Sequence, residues 1–144
     1  VRITDRLRAD HKAFRKMLSD LGDMARQAPE TRDAERLRRT VETLNRMVRF
    51  HAEVEDRTFF PAAERTGGFL LDILAGLVRE HAAITMYLFK IEEQLDTDAW
   101  TLTFSLLDRG LRGHLDREER DIFPVSESLM DENILREMAA KLPA

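Results

Sequence analysis

Two stretches of this chain, HAEVEDRTFFP from His51 to Pro61 and HLDREERDIFP from His114 to Pro124, are built to one pattern. Each opens on a His with a Glu four residues later, His51 with Glu55 and His114 with Glu118. An acidic residue follows, Asp56 or Glu119, and each copy closes on Phe-Pro, at Phe60-Pro61 and Phe123-Pro124. Residues four apart share a face of a helix, so each copy presents an imidazole beside a carboxylate. The chain has 4 histidines, and the two outside the copies, His11 and His81, each follow an acidic residue, in ADHKAF and REHAAI. The pattern reads as one helix pair used twice, with metal held between the copies.

The rest of the chain supports helices and nothing else. Ala, Leu, Arg and Glu are abundant, no stretch alternates with period two, and the 4 prolines and 6 glycines fall at joints. A first helix is expected from Thr4 or Asp5 to about Gln27, with the apolar stripe Ile3, Leu7, Phe14, Leu18, Leu21 and Ala25. A second begins near Thr31, a plausible N-cap, and runs to about Phe60 along Leu37, Val41, Leu44, Val48 and Phe59. Pro61 ends or kinks it, although AAER could continue as another turn. Gly67-Gly68 is the strongest break. A third helix follows from about Phe69 to Leu95, with Leu70, Ile73 or Leu74, Leu77, Ile84, Leu88, Ile91 and Leu95 inward. Asp96-Thr97-Asp98 supplies a turn and an N-cap, and a fourth helix runs from about Ala99 to Phe123, where Pro124 ends it. Its stripe is Phe104, Leu107, Leu111, Ile122 and Val125. A short fifth helix, from about Glu132 to Leu142, packs against the end of the bundle. Short connections favour antiparallel neighbours, so the expected fold is all-α: an up-down-up-down four-helix bundle with a short C-terminal helix. No linker divides it, and residues 1–144 are expected to form one domain.

Composition narrows the chemistry. Charged residues make up 35% of the chain but leave a net charge of only -4, which argues against nucleic acid as a partner. No apolar run reaches the roughly 18 residues a membrane span needs, and the N-terminal VRITDRLRADHK has no apolar signal core. A cytoplasmic location, with no membrane partner, is the default expectation. The absence of cysteine excludes disulfides, thiolate zinc sites, iron–sulfur clusters and cysteine nucleophiles. A metal site must then be built from imidazole and carboxylate, which suits iron, zinc, manganese, nickel or copper without choosing among them.

Polar residues on the apolar stripes carry the functional signal. Extending the second stripe past Val48 gives His51, Glu55 and Phe59; extending the fourth past Leu111 gives His114, Glu118 and Ile122. His11 falls between Leu7 and Phe14, and His81 between Leu77 and Ile84. A glutamate in a bundle core is costly unless it is paired, protonated or bound to a cation. At about 1.5 Å rise per residue, counting back and forward from each turn brings all six to one depth, the worst mismatch being about 6 Å. His11 and His51 could then bind one metal, His81 and His114 another, with Glu55 and Glu118 bridging. Each ion would keep an open position for a small ligand such as O2, NO, peroxide or azide. Asp10, Asp56, Glu80 and Glu119 lie about 100° round the helix from these positions and read as solvated or Arg-paired, with support of the metal ligands from behind as the alternative. The Phe-Pro endings read as core packing and helix termination. Trp100 and Tyr87 have no partner that the sequence names.

At these residues the chain resembles the hemerythrin-like, or HHE cation-binding, family. The resemblance covers nearly the whole chain: DH on the first helix, His-x-x-x-Glu-acidic with a Phe-Pro ending on the second and fourth, EH on the third. It implies two non-haem iron ions in an oxo- or hydroxo-bridged di-iron centre, with His11, His51, His81 and His114 as iron ligands and Glu55 and Glu118 as bridges. It implies a protein that binds or senses a small diatomic ligand or oxidant (O2, NO or peroxide). The alternatives are a di-iron enzyme of oxidative or nitrosative stress defence, or iron storage or donation for iron-centre repair. Ferritin-like sites fit less well, since they use Glu-x-x-His at i+3. Oxygen-carrying hemerythrins have a fifth His four residues from the other on the third helix, where this chain has Leu77 and Thr85, and an Asp five residues after the last His, where it has Glu118 at four. Iron-centre repair proteins usually add a cysteine-containing segment, and this chain has no cysteine. A structural bundle stapled by zinc is the bland reading of the same ligands.

Overall fold

A computed structural model describes all residues, 1–144, as helices and connections without a strand. The first helix, α1, spans Ile3–Arg26. Next come α2 (Ala34–Val54), a π-helical turn (Glu55–Phe59) and α3 (Phe60–Thr66), which form one continuous rod. After a short 3-10 turn at Gly68–Leu70, α4 covers Leu71–Gln94. A second rod is built the same way from α5 (Trp100–Arg117), a π turn (Glu118–Ile122) and α6 (Phe123–Leu129), and α7 (Glu132–Ala140) closes the chain. Contacts run α1 to α2, α2 to α4, α4 to α5 and α5 to α1, the closed ring of a four-helix bundle. Arg32, in the first connection, reaches Asp98, in the third. Both connections therefore lie at one end, as an up-down-up-down path requires.

One helix end differs from the sequence reading: Pro124 does not end the fourth helix. At Pro61 the helix continues through AAER, the alternative the sequence left open; each rod runs on for another two turns. A proline ring inside a helix clashes with the carbonyl four residues back and cannot donate to it. Here the Phe60 N–H bonds the Glu55 carbonyl and the Phe123 N–H bonds the Glu118 carbonyl, five residues back, so each helix widens ahead of its proline and absorbs the misfit. Smaller corrections concern the caps. Asp33, not Thr31, accepts from the Arg36 N–H at the start of α2. Thr97 takes the Ala99 N–H through its hydroxyl, but α5 starts without a side-chain cap. Met24 rather than Ala25 ends the α1 stripe, and Leu74 rather than Ile73 faces inward on α4. Trp100 is fully buried, its ring 6.1 Å from that of Phe104 at a 60° tilt and covered by the Arg32 guanidinium 5.2 Å away. The same Arg32 donates to the carbonyls of Met24, Ala25 and Gln27, the open acceptors at the end of α1.

The core is in two parts. One apolar cluster, including Phe14, Val48, Ile84, Leu107 and Leu111, fills the end with Trp100. The other, including Leu7, Phe59, Leu77, Ile122 and Phe123, fills the opposite end, where α7 packs against α1. What parts them is a polar layer.

Candidate metal centre

The layer contains all six residues singled out in the sequence. His11 sits on α1, His51 on α2, His81 on α4 and His114 on α5, while Glu55 and Glu118 are the first residues of the two π turns. All are buried: His11, Glu55 and Glu118 are 0% exposed, His114 2%, His51 4% and His81 8%. They form two sets of four that share the glutamates. His11, His51, Glu55 and Glu118 have one ligand atom each within 4.8 Å of one another, and so do Glu55, His81, His114 and Glu118.

Each imidazole is held by its outer nitrogen. Nδ1 of His51 lies 2.9 Å from Asp10, Nδ1 of His81 2.9 Å from Asp56, Nδ1 of His114 2.9 Å from Glu80, and Nδ1 of His11 3.1 Å from Glu119. The pattern is a ring: α1 supplies the acid for α2, the α2 rod for α4, α4 for α5, and the α5 rod for α1. An ionised carboxylate only accepts, so each Nδ1 carries a proton, and in the neutral imidazole Nε2 points its lone pair into the layer. Two of the acids are themselves pinned by arginine, Glu80 by Arg117 and Glu119 by Arg15. Aromatic rings fix the imidazoles further. Phe60 stacks on His81 at 5.9 Å and 10°, Phe123 lies 5.3 Å from His11, and Phe14 meets His51 edge-on at 5.2 Å. The four acids had a better-favoured reading in the sequence as solvated or Arg-paired groups. Two are Arg-paired, and all four also hold a histidine. Their signal was adjacency, since each stands next to a His or a Glu of the layer.

The interior of the layer is rich in electron pairs. Nε2 of His11 and of His51, Oε2 of Glu55 and both carboxylate oxygens of Glu118 are buried without a hydrogen-bond partner. Nε2 of His11 lies 3.1 Å from Glu118, Nε2 of His81 3.1 Å from Glu55, and the His81 and His114 Nε2 atoms are 3.2 Å apart. Two nitrogens bound to one ion at right angles, each at about 2.1 Å, would be about 3.0 Å apart. Buried acceptors facing acceptors are costly, and a cation between them removes the cost. The donor set therefore fits divalent metal, held by neutral imidazoles and carboxylates.

Without a cation, protons carry the positive charge. Burial disfavours the His51 imidazolium, but the Glu55 charge 3.4 Å away, the hydrogen bond to Asp10 and the nearby Glu118 carboxylate outweigh it, so its pKa lies well above the ordinary value. His81 is raised in the same way by Glu55 and Asp56. His114 is lowered, because burial and the His81 charge outweigh the pull of Glu118 and Glu80. Burial pushes the Glu55 carboxyl up, yet the His51 charge, the His81 hydrogen bond and the polar groups packed round it bring it below the carboxylate range. His51 in the first set and His81 in the second thus favour a proton.

Against the layer lies a small cavity with about 10 Å³ open to the centre of a water molecule. His51, His81 and His114 reach its wall, as does Thr85; the rest of the lining is aliphatic or aromatic. One water or a small ligand of two or three heavy atoms is about the largest guest for such a space.

The model of the family described as hemerythrin HHE cation binding domain matches residues 2–140. No curated protein and no solved structure gives a significant match. No helix is long and apolar enough to cross a membrane.

Proposed function

We propose that this chain, which belongs to the hemerythrin HHE cation-binding domain family, holds two non-haem iron ions and binds a small diatomic ligand or oxidant beside them. His11 and His51 would hold one ion and His81 and His114 the other, with Glu55 and Glu118 bridging. The observation that carries this reading is the pair of four-residue sets sharing two fully buried glutamates, with Oε2 of Glu55 and both oxygens of Glu118 lacking partners. When bound, the iron pair would supply redox-active positions for O2, NO or peroxide. The chain itself supplies rigid imidazoles, set by the ring of carboxylates, and a water-poor wall. That wall favours binding or sensing over turnover. It carries no acid or base beyond the imidazoles, and Tyr87 packs in the apolar cluster away from the layer.

Metal analysis and optical spectra of protein expressed in iron-replete medium test the proposal. Roughly two iron ions per chain are expected, and Glu55→Ala and Glu118→Ala should each lose most of the metal. Zinc in place of iron would refute the iron assignment. Both ions retained in either variant would refute the bridging role.

A further inference from the structure

The cavity beside the centre lies one layer of side chains from solvent. Its wall and that of a surface groove between α2 and α4 have three residues in common, Ala52, His81 and Thr85. Ala52 contributes only a methyl group from α2. Thr85 follows His81 by four residues on α4 and is half-buried. His81 is the least buried residue of the layer, at 8%. The other approaches are closed by bulk. Phe14 lies against both His11 and His51, Phe123 against His11, and Leu111 and Leu115 belong to the packed apolar cluster. His11 does not reach the cavity, whereas both His81 and His114 do. Thr85 carries the only hydroxyl on the wall.

We propose, resting on the metal-binding reading above, that a small ligand reaches the centre through the α2–α4 wall at Ala52 and Thr85 and settles on the His81–His114 side. Passage there needs a rotamer change of one small, half-exposed side chain, a ps–ns event. Passage from the His11 side needs buried aromatic rings to leave a close-packed core. Thr85 therefore controls both the route and the space at its end. A larger side chain at this position fills the cavity, and a threonine leaves it open.

Azide is the probe, with the iron-loaded full chain and stopped-flow absorbance. Thr85→Leu and Ala52→Leu each add bulk to the shared wall, and Ala83→Leu adds it to the exposed side of α4, outside the groove and the cavity. Iron content and the spectrum before azide are measured first. The expected result is unchanged iron in all three variants, with azide association at least about tenfold slower in the two wall variants and unchanged in Ala83→Leu. Wild-type association in an iron-replete wall variant overturns the route, as does equal slowing in Ala83→Leu. If Thr85→Leu does not fold, Ala52→Leu decides. A wild-type chain that takes up no iron refutes the metal reading before any azide is added, which separates the two failures.

Discussion

Removing the Asp10 carboxylate should weaken metal binding without unfolding the protein. Asp10 holds Nδ1 of His51 at 2.9 Å and has no arginine partner of its own, unlike Glu80 and Glu119. In Asp10→Ala the His51 ring keeps its place against Phe14 but loses the acceptor that fixes its tautomer and raises the basicity of Nε2. One hydrogen bond to a charged group contributes about 1.5–3 kcal/mol. Loss of a carboxylate behind a metal-bound imidazole lowers affinity about 10–100-fold, or about 1.4–2.7 kcal/mol. The two routes agree, and about 2 kcal/mol is expected. Asp10→Asn, which keeps an acceptor, should lose less. Asp56→Ala should match Asp10→Ala, because Asp56 holds His81 at the same 2.9 Å. Competition for Co(II) against a chromophoric chelator reads the affinity. Denaturant melts of the metal-free protein read the fold, which should weaken by about 1 kcal/mol or less for a carboxylate this exposed. Wild-type Co(II) affinity in both alanine variants would refute the role given to the ring of acids.

Two further outcomes follow from the same geometry. Because His51 and His81 are raised above their ordinary pKa, the metal-free layer holds protons that a cation must displace. Metal uptake should release protons, and affinity should climb as pH rises through and above the ordinary histidine range; titration calorimetry in buffers of different ionisation enthalpy measures both. Glu127 tests a structural contact instead. It receives Arg8 through both oxygens at 2.8 Å, Thr4 at 2.6 Å and Arg2 at 3.0 Å. The Arg8 hydrogen bonds, with Thr4 and the charges of Arg8 and Arg2, lower its pKa against the opposing effect of burial. A depressed carboxylate stabilises the fold above its unfolded pKa and loses that effect as pH falls through its folded pKa. Glu127→Gln should cost about 2 kcal/mol near pH 7 and almost nothing once the pH has fallen through the lowered folded pKa, as read by urea melts across pH; a cost constant with pH would contradict the ionic account.

The bundle was legible in the sequence because core stripes follow the helical period. The six layer residues were legible because they stand on those stripes. What escaped was anything that depends on a neighbouring helix. The continuation past Pro124, and the one-residue widening that carries both rods past their prolines, leave no trace in apolar spacing. The four acids point sideways, so periodicity alone placed them in solvent. The structure also explains why the repeated stretch is longer than its His and Glu. In the first copy, Asp56 and Phe60 both hold His81 of α4. In the second, Glu119 and Phe123 both lie against His11 of α1. Each copy supplies its own pair to the layer and fixes the imidazole of the next helix, which is the reason for His11 and His81 to occur without copies of their own.

The layer also interrupts what would otherwise be one apolar core. Metal-free, it leaves three carboxylate oxygens buried without partners, Oε2 of Glu55 and both of Glu118, at about 1–3 kcal/mol each. Against this stand the ion pairs of His51 and His81, which lose their buried carboxylates if the glutamates are removed but can shed their protons in response. Replacing both glutamates by methionine, close in volume and able to fill irregular gaps, should therefore stabilise the metal-free protein by about 2 kcal/mol, as buried charge replaced by apolar packing does elsewhere. The same variant should gain nothing from metal, whereas the wild type should gain about 4 kcal/mol at a free metal concentration about 1,000 times Kd. The two melting curves would then cross as metal is added. If the methionine variant is the less stable of the two without metal, the layer is held by its own ion pairs, and the case for a cation from unpartnered oxygens fails.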